Sequence, residues 1–240
     1  MGLPASRVAL VIGNSDGIGL ALTRELLRQG WTVLGVSRSD SPVRHESYRH
    51  TRVLVQDDAY VEKLKALLAT VTPPDLCVYC AGVGEPLDLS RMEQEAEVFE
   101  VNLVGMVRTA TCIIPLMERR GVGHFIGLSS LADELVSADA PSYSASKAGF
   151  SSYLSGLALA LRPKGVYVTN VRFGFVDTKM AKSKVKPFMM SVDRAVRHLL
   201  ACIERKPVSY SAPWPMVLLV GLQHWYMRLG TLFPGPPPKR

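Results

Sequence analysis

Tyr143 and Lys147 stand four residues apart in the run Tyr143-Ser144-Ala145-Ser146-Lys147, and Ser130 precedes the tyrosine by thirteen. On a helix, positions i and i+4 project from one face, so the phenol and the ammonium would lie side by side. A neighbouring ammonium stabilises phenolate and draws the phenol's pKa down toward the working range. Such a tyrosine can protonate a carbonyl oxygen or take the proton of an alcohol. Ser130, on a loop just after a strand, would hold the same oxygen, with Ser129 as its rival. Spacing alone is only suggestive, because a chain with 8 Tyr and 10 Lys gives roughly 0.3 such matches by chance.

A second signature, Gly13-Asn14-Ser15-Asp16-Gly17-Ile18-Gly19, follows the apolar run Arg7–Ile12. It falls at a strand-to-helix turn, where a phosphate cradle belongs. Gly13 makes the tight turn, Gly17 lets the backbone approach a pyrophosphate, and Gly19 lets helix and strand pack closely. The helix N-terminus at Ile18 favours negative charge, and Ser15 and Asp16 complete the candidate contacts. The spacing is G-x-x-x-G-x-G rather than the commoner G-x-G-x-x-G. Taken together, the two signatures imply hydride transfer between a nicotinamide cofactor and a carbonyl or alcohol.

Ser37-Arg38 ends the second strand. An acid there would hold both ribose hydroxyls of NAD, whereas a small residue followed by arginine suits the ribose phosphate of NADP. NADP(H) is therefore the preferred cofactor and NAD(H) the second option. A solvated arginine is the plainer reading of Arg38. Asp57, after the third strand, either faces the adenine or, with Asp58, caps the next helix.

The elements that must position these groups alternate along the chain. Strands are expected at Arg7–Ile12, Trp31–Val36, Thr51–Val55, Leu76–Cys80, Val122–Ser129, Val166–Val171 and Val208–Ser211. Helices are expected at Ile18–Gln29, Ala59–Val71, Glu93–Arg120 (one, or two in series), Tyr143–Leu161 and Val192–Glu204. The pattern predicts an α/β fold, a single-domain, Rossmann-like, doubly wound parallel β-sheet with helices on both faces. The catalytic domain would span residues 1–212 and a tail 213–240.

A chain of 240 residues with 48% hydrophobic and 20% charged residues is globular in composition. Four cysteines do not make a disulfide scaffold, and no signal peptide precedes the first strand, so a cytoplasmic setting is expected. Cys77 and Cys80 have C-x-x-C spacing but would point to opposite faces of a strand. The five histidines show no ligand spacing, so no metal is expected, and nothing suggests nucleic acid. Met1–Ser6 fits a myristoylation pattern, which is short.

These motifs resemble the short-chain dehydrogenase/reductase family in its single-domain branch, over roughly residues 7–210. The resemblance implies the roles given above for Ser130, Tyr143 and Lys147, and gives Lys147 a hold on the nicotinamide ribose. It adds Asn102, whose side chain would support a water relaying protons to the lysine. Ala81 and Gly82 fall in the cofactor-side turn, and Gly174, Val176 and Thr178 in the segment against the nicotinamide amide. It also implies a homodimer or homotetramer paired through Glu93–Arg120 and Tyr143–Leu161. Three positions depart from the family pattern: Ile12 replaces Thr, Tyr79-Cys80-Ala81-Gly82 replaces Asn-Asn-Ala-Gly, and Phe173-Gly174 replaces Pro-Gly. The second loses two amides that would brace the central sheet.

Charge is uneven. Residues 1–178 hold 17 basic against 19 acidic side chains, while residues 179–240 hold 11 against 2. Such asymmetry points to an anionic partner near that end. Substrate choice is expected in the loop 177–191, which carries Lys179, Lys182, Lys184 and Lys186 before Phe188-Met189-Met190. The tail has three readings: a lid or subunit contact, a helix resting peripherally on a membrane surface, or a disordered end. With the basic loop, it favours a small carbonyl or alcohol substrate of lipophilic or acyl character. Two other functions stay open, a non-catalytic dinucleotide-binding redox sensor and a cofactor-independent lyase or dehalogenase on the same fold.

Overall fold

The structure is a computed structural model that describes residues 7–181 and 186–232. Lys182, Lys184, the Met1–Ser6 motif and residues 233–240 lie outside the described residues. Among the described residues seven strands form one sheet: β1 (Val8–Ile12), β2 (Thr32–Ser37), β3 (Tyr48–Arg52), β4 (Leu76–Tyr79), β5 (Gly123–Ser130), β6 (Val166–Phe173) and β7 (Ser209–Ala212). Their order is β3-β2-β1-β4-β5-β6-β7, and every neighbouring pair is parallel. The strand order reverses between β1 and β4, and ligands of open parallel sheets bind at the carboxyl ends there.

The helices are α1 (Gly17–Arg28), α2 (Tyr60–Leu68), α3 (Glu93–Phe99), α4 (Gly105–Arg120), α5 (Pro141–Leu161), α6 (Val192–Arg205) and α7 (Trp214–Leu232). β1 shows why the sheet needs helices on both faces. All five of its residues are buried, with Val8, Leu10 and Ile12 in the core under α2, α4 and α5 and Ala9 and Val11 in the core under α1 and α6. Period-two alternation into two apolar layers leaves no polar face.

One expectation is corrected and two are narrowed. The third strand is Tyr48–Arg52, not Thr51–Val55. It is the sheet edge, so it needs apolar residues on neither face throughout, and the buried Val53 and Val55 enter the core only after pairing has ended. The long segment Glu93–Arg120 is continuous but wound as a π-helix over Glu100–Val104, where Gly105 N–H donates to the Glu100 carbonyl. The tail is not disordered through residue 232, because it forms α7. Among the described residues the one helical stretch long and apolar enough to cross a membrane is Glu93–Arg120, and it belongs to the core.

Candidate active site

The cradle is held open by glycines that no other residue could replace without moving backbone. Gly13 has φ +81°, and a Cβ there would stand 2.6 Å from the Ala81 nitrogen; at Gly19 it would stand 2.1 Å from the Gly13 carbonyl oxygen. Beneath the loop, buried Asn14 donates to the Tyr48 hydroxyl at 2.6 Å. Gly35 on β2 leaves the room this needs, since a Cβ there would lie 2.1 Å from Asn14 Nδ2. Asp16 caps α1, accepting from Gly17 N–H at 2.8 Å, and pairs with Lys179 at 2.7 Å. The Lys179 hydrogen bond, then that of Gly17, lowers the Asp16 pKa. Ser15 and Ile18 are half-buried in the same turn.

Opposite this loop lies the segment after β6. Its base is pinned where Asp177 N–H donates to Met190 and Met190 N–H donates to Phe175. Val176 is buried, and Thr178 comes within 3.3 Å of where a Gly17 Cβ would sit. Asp16, Gly17, Arg24, Thr178 and Lys179 line a cleft of 410 Å³. A backbone cradle at a helix N-terminus, too tight for any Cβ, fits a dinucleotide pyrophosphate. Gly13, Gly17 and Gly19 would hold it.

At the end of β2 the expected pair separates. Ser37 is buried, donates to the Ser39 carbonyl at 2.8 Å and lies 2.8 Å from His50 Nε2, so its hydroxyl is already spent within the fold. Arg38 is exposed and lines a second cleft of 340 Å³ with Val83, Glu97 and Val98. Asp40 pairs with Arg52 at 3.7 Å. Asp57 sits in the turn before α2. Neither it nor Asp58 caps that helix, whose N-cap is Ala59 with no side-chain bond.

The reacting groups converge on the other side of β4. Helix α5 approaches β5 closely because Gly127 leaves space, and a Cβ there would meet Leu154 at 2.4 Å. This brings Tyr143 to Ser130, whose hydroxyl works to lower the phenol's pKa. Ser130 also accepts from Ala132 N–H at 3.1 Å. Ser129, its rival, is buried and bonded to Ser151 at 2.7 Å. Lys147 donates from Nζ to the Leu128 carbonyl at 2.9 Å, and Nζ lies 5.8 Å from the centre of the Tyr143 ring. Gly82 and Gly84 close the site: a Cβ on Gly82 would lie 3.8 Å from Lys147 Nζ, and one on Gly84 2.8 Å from Tyr143.

Two expectations change here. The Tyr143 pKa is raised, not lowered: burial raises it, the bond to Ser130 opposes this, and the charge of Asp133 raises it further. Burial also pushes Lys147 down to about 8. The Asn102 amide, expected to support a water, is bonded at both ends. Its Oδ1 accepts from Val83 N–H at 2.8 Å, and its Nδ2 donates to the Val83 carbonyl and to Ser146 Oγ. Asn102 therefore clamps α5 to the strand end carrying Gly82. Its place in the π-helical turn is consistent with the common siting of such turns at functional sites.

The bracing lost with the two amides is replaced. Tyr79 is fully buried and donates to the Val101 carbonyl at 2.6 Å, tying β4 to the π-helical turn. Gly174, beside β7, is covered by Met216 of α7.

Sequence reasoning missed a side-chain network behind Ser130. Arg172 of β6 bonds both carboxylate oxygens of Asp133, at 2.8 and 2.7 Å, and also reaches Glu134. Asp133 in turn accepts from Ser151 at 2.5 Å, and Ser151 meets Ser129. The network joins β6, α5 and the 3₁₀ turn Leu131–Glu134 that follows Ser130. One signal was visible: an arginine set between apolar Val171 and Phe173 requires a partner if it is buried.

The sequence model of the short chain dehydrogenase family matches residues 7–187. An uncharacterized oxidoreductase of Myxococcus xanthus is 32% identical over 226 residues, which cover 88% of this chain and 89% of that one. The 3-oxoacyl-acyl-carrier-protein reductase FabG of Vibrio harveyi is 27% identical over 186 residues, 74% of this chain and 76% of that one. Among solved structures, a short chain dehydrogenase of Burkholderia cenocepacia in complex with NADP superposes with a TM-score of 0.82 at 24% identity, covering 96% of this chain and 98% of that one. A 4-hydroxyisoleucine dehydrogenase complexed with NADH superposes with a TM-score of 0.76 at 14% identity, covering 86% and 96%. The structural likenesses speak for the Rossmann fold.

Proposed function

Because the chain belongs to the short chain dehydrogenase family, and is thus an oxidoreductase that binds a nicotinamide cofactor, we propose that it is an NADP(H)-dependent ketoreductase. Its substrate is a carbonyl compound or the matching secondary alcohol, lipophilic or acyl in character. The observation that carries this reading is the meeting of Ser130, Tyr143 and Lys147 beside Gly82, across β4 from the glycine cradle. The similarity to an acyl-carrier-protein reductase supports a ketone attached to an acyl chain.

When bound, the reduced nicotinamide supplies the hydride. Ser130 donates a hydrogen bond to the substrate oxygen and fixes its place. Tyr143, kept neutral by its raised pKa, gives its proton to that oxygen, which favours reduction at neutral pH. Lys147, at about 8, still carries its proton for the most part at neutral pH, and from Nζ it restores the phenol. Asn102 and Leu128 fix the helix and the ammonium that do this.

Arg38, exposed at the mouth of the second cleft, is the group that would select the 2′-phosphate. A cytoplasmic homodimer or homotetramer, paired through α4 and α5, is the matching assembly. The test is binding and turnover with NADPH and, separately, NADH. NADPH is expected to bind at least about 10-fold more tightly, with Arg38→Ala removing the difference. Preference for NADH would sink the Arg38 assignment. Binding of neither would sink the enzyme reading.

A further inference from the structure

Helix α7 has two unlike sides. One side is seated on the catalytic domain: Met216 and Val220 are buried against Leu131, with Val217, Leu135 and Phe175 around them. His224 Nδ1 meets the Glu134 carbonyl at 2.7 Å. Leu131 directly follows Ser130, so the helix rests on the rim of the reacting site. The other side carries Trp214, Leu218, Leu219, Leu222, Trp225 and Tyr226, with exposures from 48% to 76%. At about 100° per residue these six fall within one arc of about 140°. No charged or amide side chain interrupts it. A side chain such as Leu222, 69% exposed, gains nothing from water, and six in one stripe form a face that needs a partner.

We propose that this face of α7 binds an anionic lipid surface. Two tryptophans and a tyrosine among six residues suit the headgroup boundary, where an apolar ring and a polar tip are both accommodated. The sequence of this end has the matching sign: beyond Glu204 it holds no acid, and its only charged residues are Arg205 and Lys206, before β7, and Arg228, Lys239 and Arg240. The segment leading to the lysine-bearing loop starts at Phe175, packed against the same helix. Met180, Phe188 and Met189 of that loop are themselves exposed. A second copy of the chain fits less well, because a twofold contact would set this basic end against itself. A membrane span is ruled out by the docked side, which leaves only one face to lipid.

The proposal does not rest on catalysis, and its test reads binding alone. The full chain is mixed with vesicles of phosphatidylcholine, with or without about 30% phosphatidylglycerol, and sedimented. Two of the three tryptophans, Trp214 and Trp225, lie on the face, while Trp31 is buried, so intrinsic fluorescence reports insertion directly. The expected result is binding to the anionic vesicles with a blue shift, weakened by high salt. The triple variant Leu218→Ser, Leu222→Ser, Trp225→Ser is expected to bind at least about 10-fold more weakly. Unchanged NADPH affinity and circular dichroism check that it is folded. Two results would overturn the proposal: no binding by the parent chain, or equal binding by the triple variant, which with an oligomer split in light scattering would assign the face to a second copy of the chain. Equal binding to both vesicle types would overturn its anionic part.

Discussion

The glycine loop after β1 and the segment after Ser130 both lie at the carboxyl ends of sheet strands, yet they are built in opposite ways. The loop is a backbone device. Its essential distances are main-chain ones, between Gly19 and Gly13 within the loop and between Gly13 and Ala81 at the end of β4. The Ser130 segment is a side-chain device. Arg172 reaches Asp133 across 39 positions, and His224 reaches Glu134 across 90. Backbone geometry tolerates no added atom, whereas a side-chain network can lose one member and re-form around the rest. The cofactor side should therefore fail by steric exclusion, and the substrate side by graded loss of position and of proton chemistry.

The sharpest separation of the two sides comes from Tyr143→Phe. The ring is kept and the hydroxyl whose pKa Ser130 helps to set is removed. Turnover is expected to fall by about 10³-fold, while NADPH affinity stays within about 2-fold. Steady-state kinetics with a fluorescence titration checks both. Retention of most activity would remove Tyr143 from its role.

Gly19→Ala attacks the other side. Its Cβ would lie 2.1 Å from the Gly13 carbonyl, a backbone atom that cannot swing aside. NADPH affinity should drop by about 100-fold, and stability by about 1–3 kcal/mol. The matched control is Gly156→Ala in α5, where nothing lies within 4 Å; it should gain up to about 1 kcal/mol. If both variants behave alike in a cofactor titration and a thermal melt, the cradle is not sterically closed.

The same contrast explains what could be read in the sequence. The cradle, β1 and α5 are local patterns, and Gly13, Tyr143 and Lys147 stand where the pattern puts them. The edge strand β3 was misplaced, because Val53 and Val55 carry the apolar signal while the polar run Tyr48–Arg52 makes the hydrogen bonds. Ser37 looked like a ligand contact, but its hydroxyl is satisfied by His50, which pairing across β2 and β3 supplies. The seat of α7 on Leu131 and the Asp133–Arg172 pair depend on long-range contacts that periodicity does not encode. The lowering expected for Tyr143 failed because burial outweighs a neighbouring ammonium whose Nζ is turned to the Leu128 carbonyl.

Lys147→Met probes the cost of that buried ammonium. The Lys147 pKa falls from 10.5 unfolded to about 8 folded, so below pH 8 both states hold the proton and the folded state bears the full burial penalty. Between the two values the unfolded chain alone stays protonated, and stability rises with pH. Lys147→Met should therefore be more stable than the parent by about 2 kcal/mol at pH 7, after the lost bond to Leu128 is counted, with the gap closing by about pH 10.5. Activity is lost at every pH. Thermal melts across this range check the sign: a gap that widens with pH would mean the ammonium is not penalised by the fold.

Asp133→Asn gives the smallest effect and the finest test of the side-chain device. Asparagine keeps the shape and part of the hydrogen bonding, and Glu134 still neutralises Arg172, so the expected loss of stability is only about 1–2 kcal/mol. Turnover should fall by about 10-fold as the turn after Ser130 loosens, with the NADPH affinity unchanged. The charge of Asp133 raises the pKa of both Tyr143 and Lys147. Removing it lowers both, and the alkaline limb of the pH–rate profile must move to lower pH. A role confined to packing would reduce the rate and leave that limb in place. A shifted limb would show that the carboxylate sets the proton chemistry of a tyrosine it does not touch.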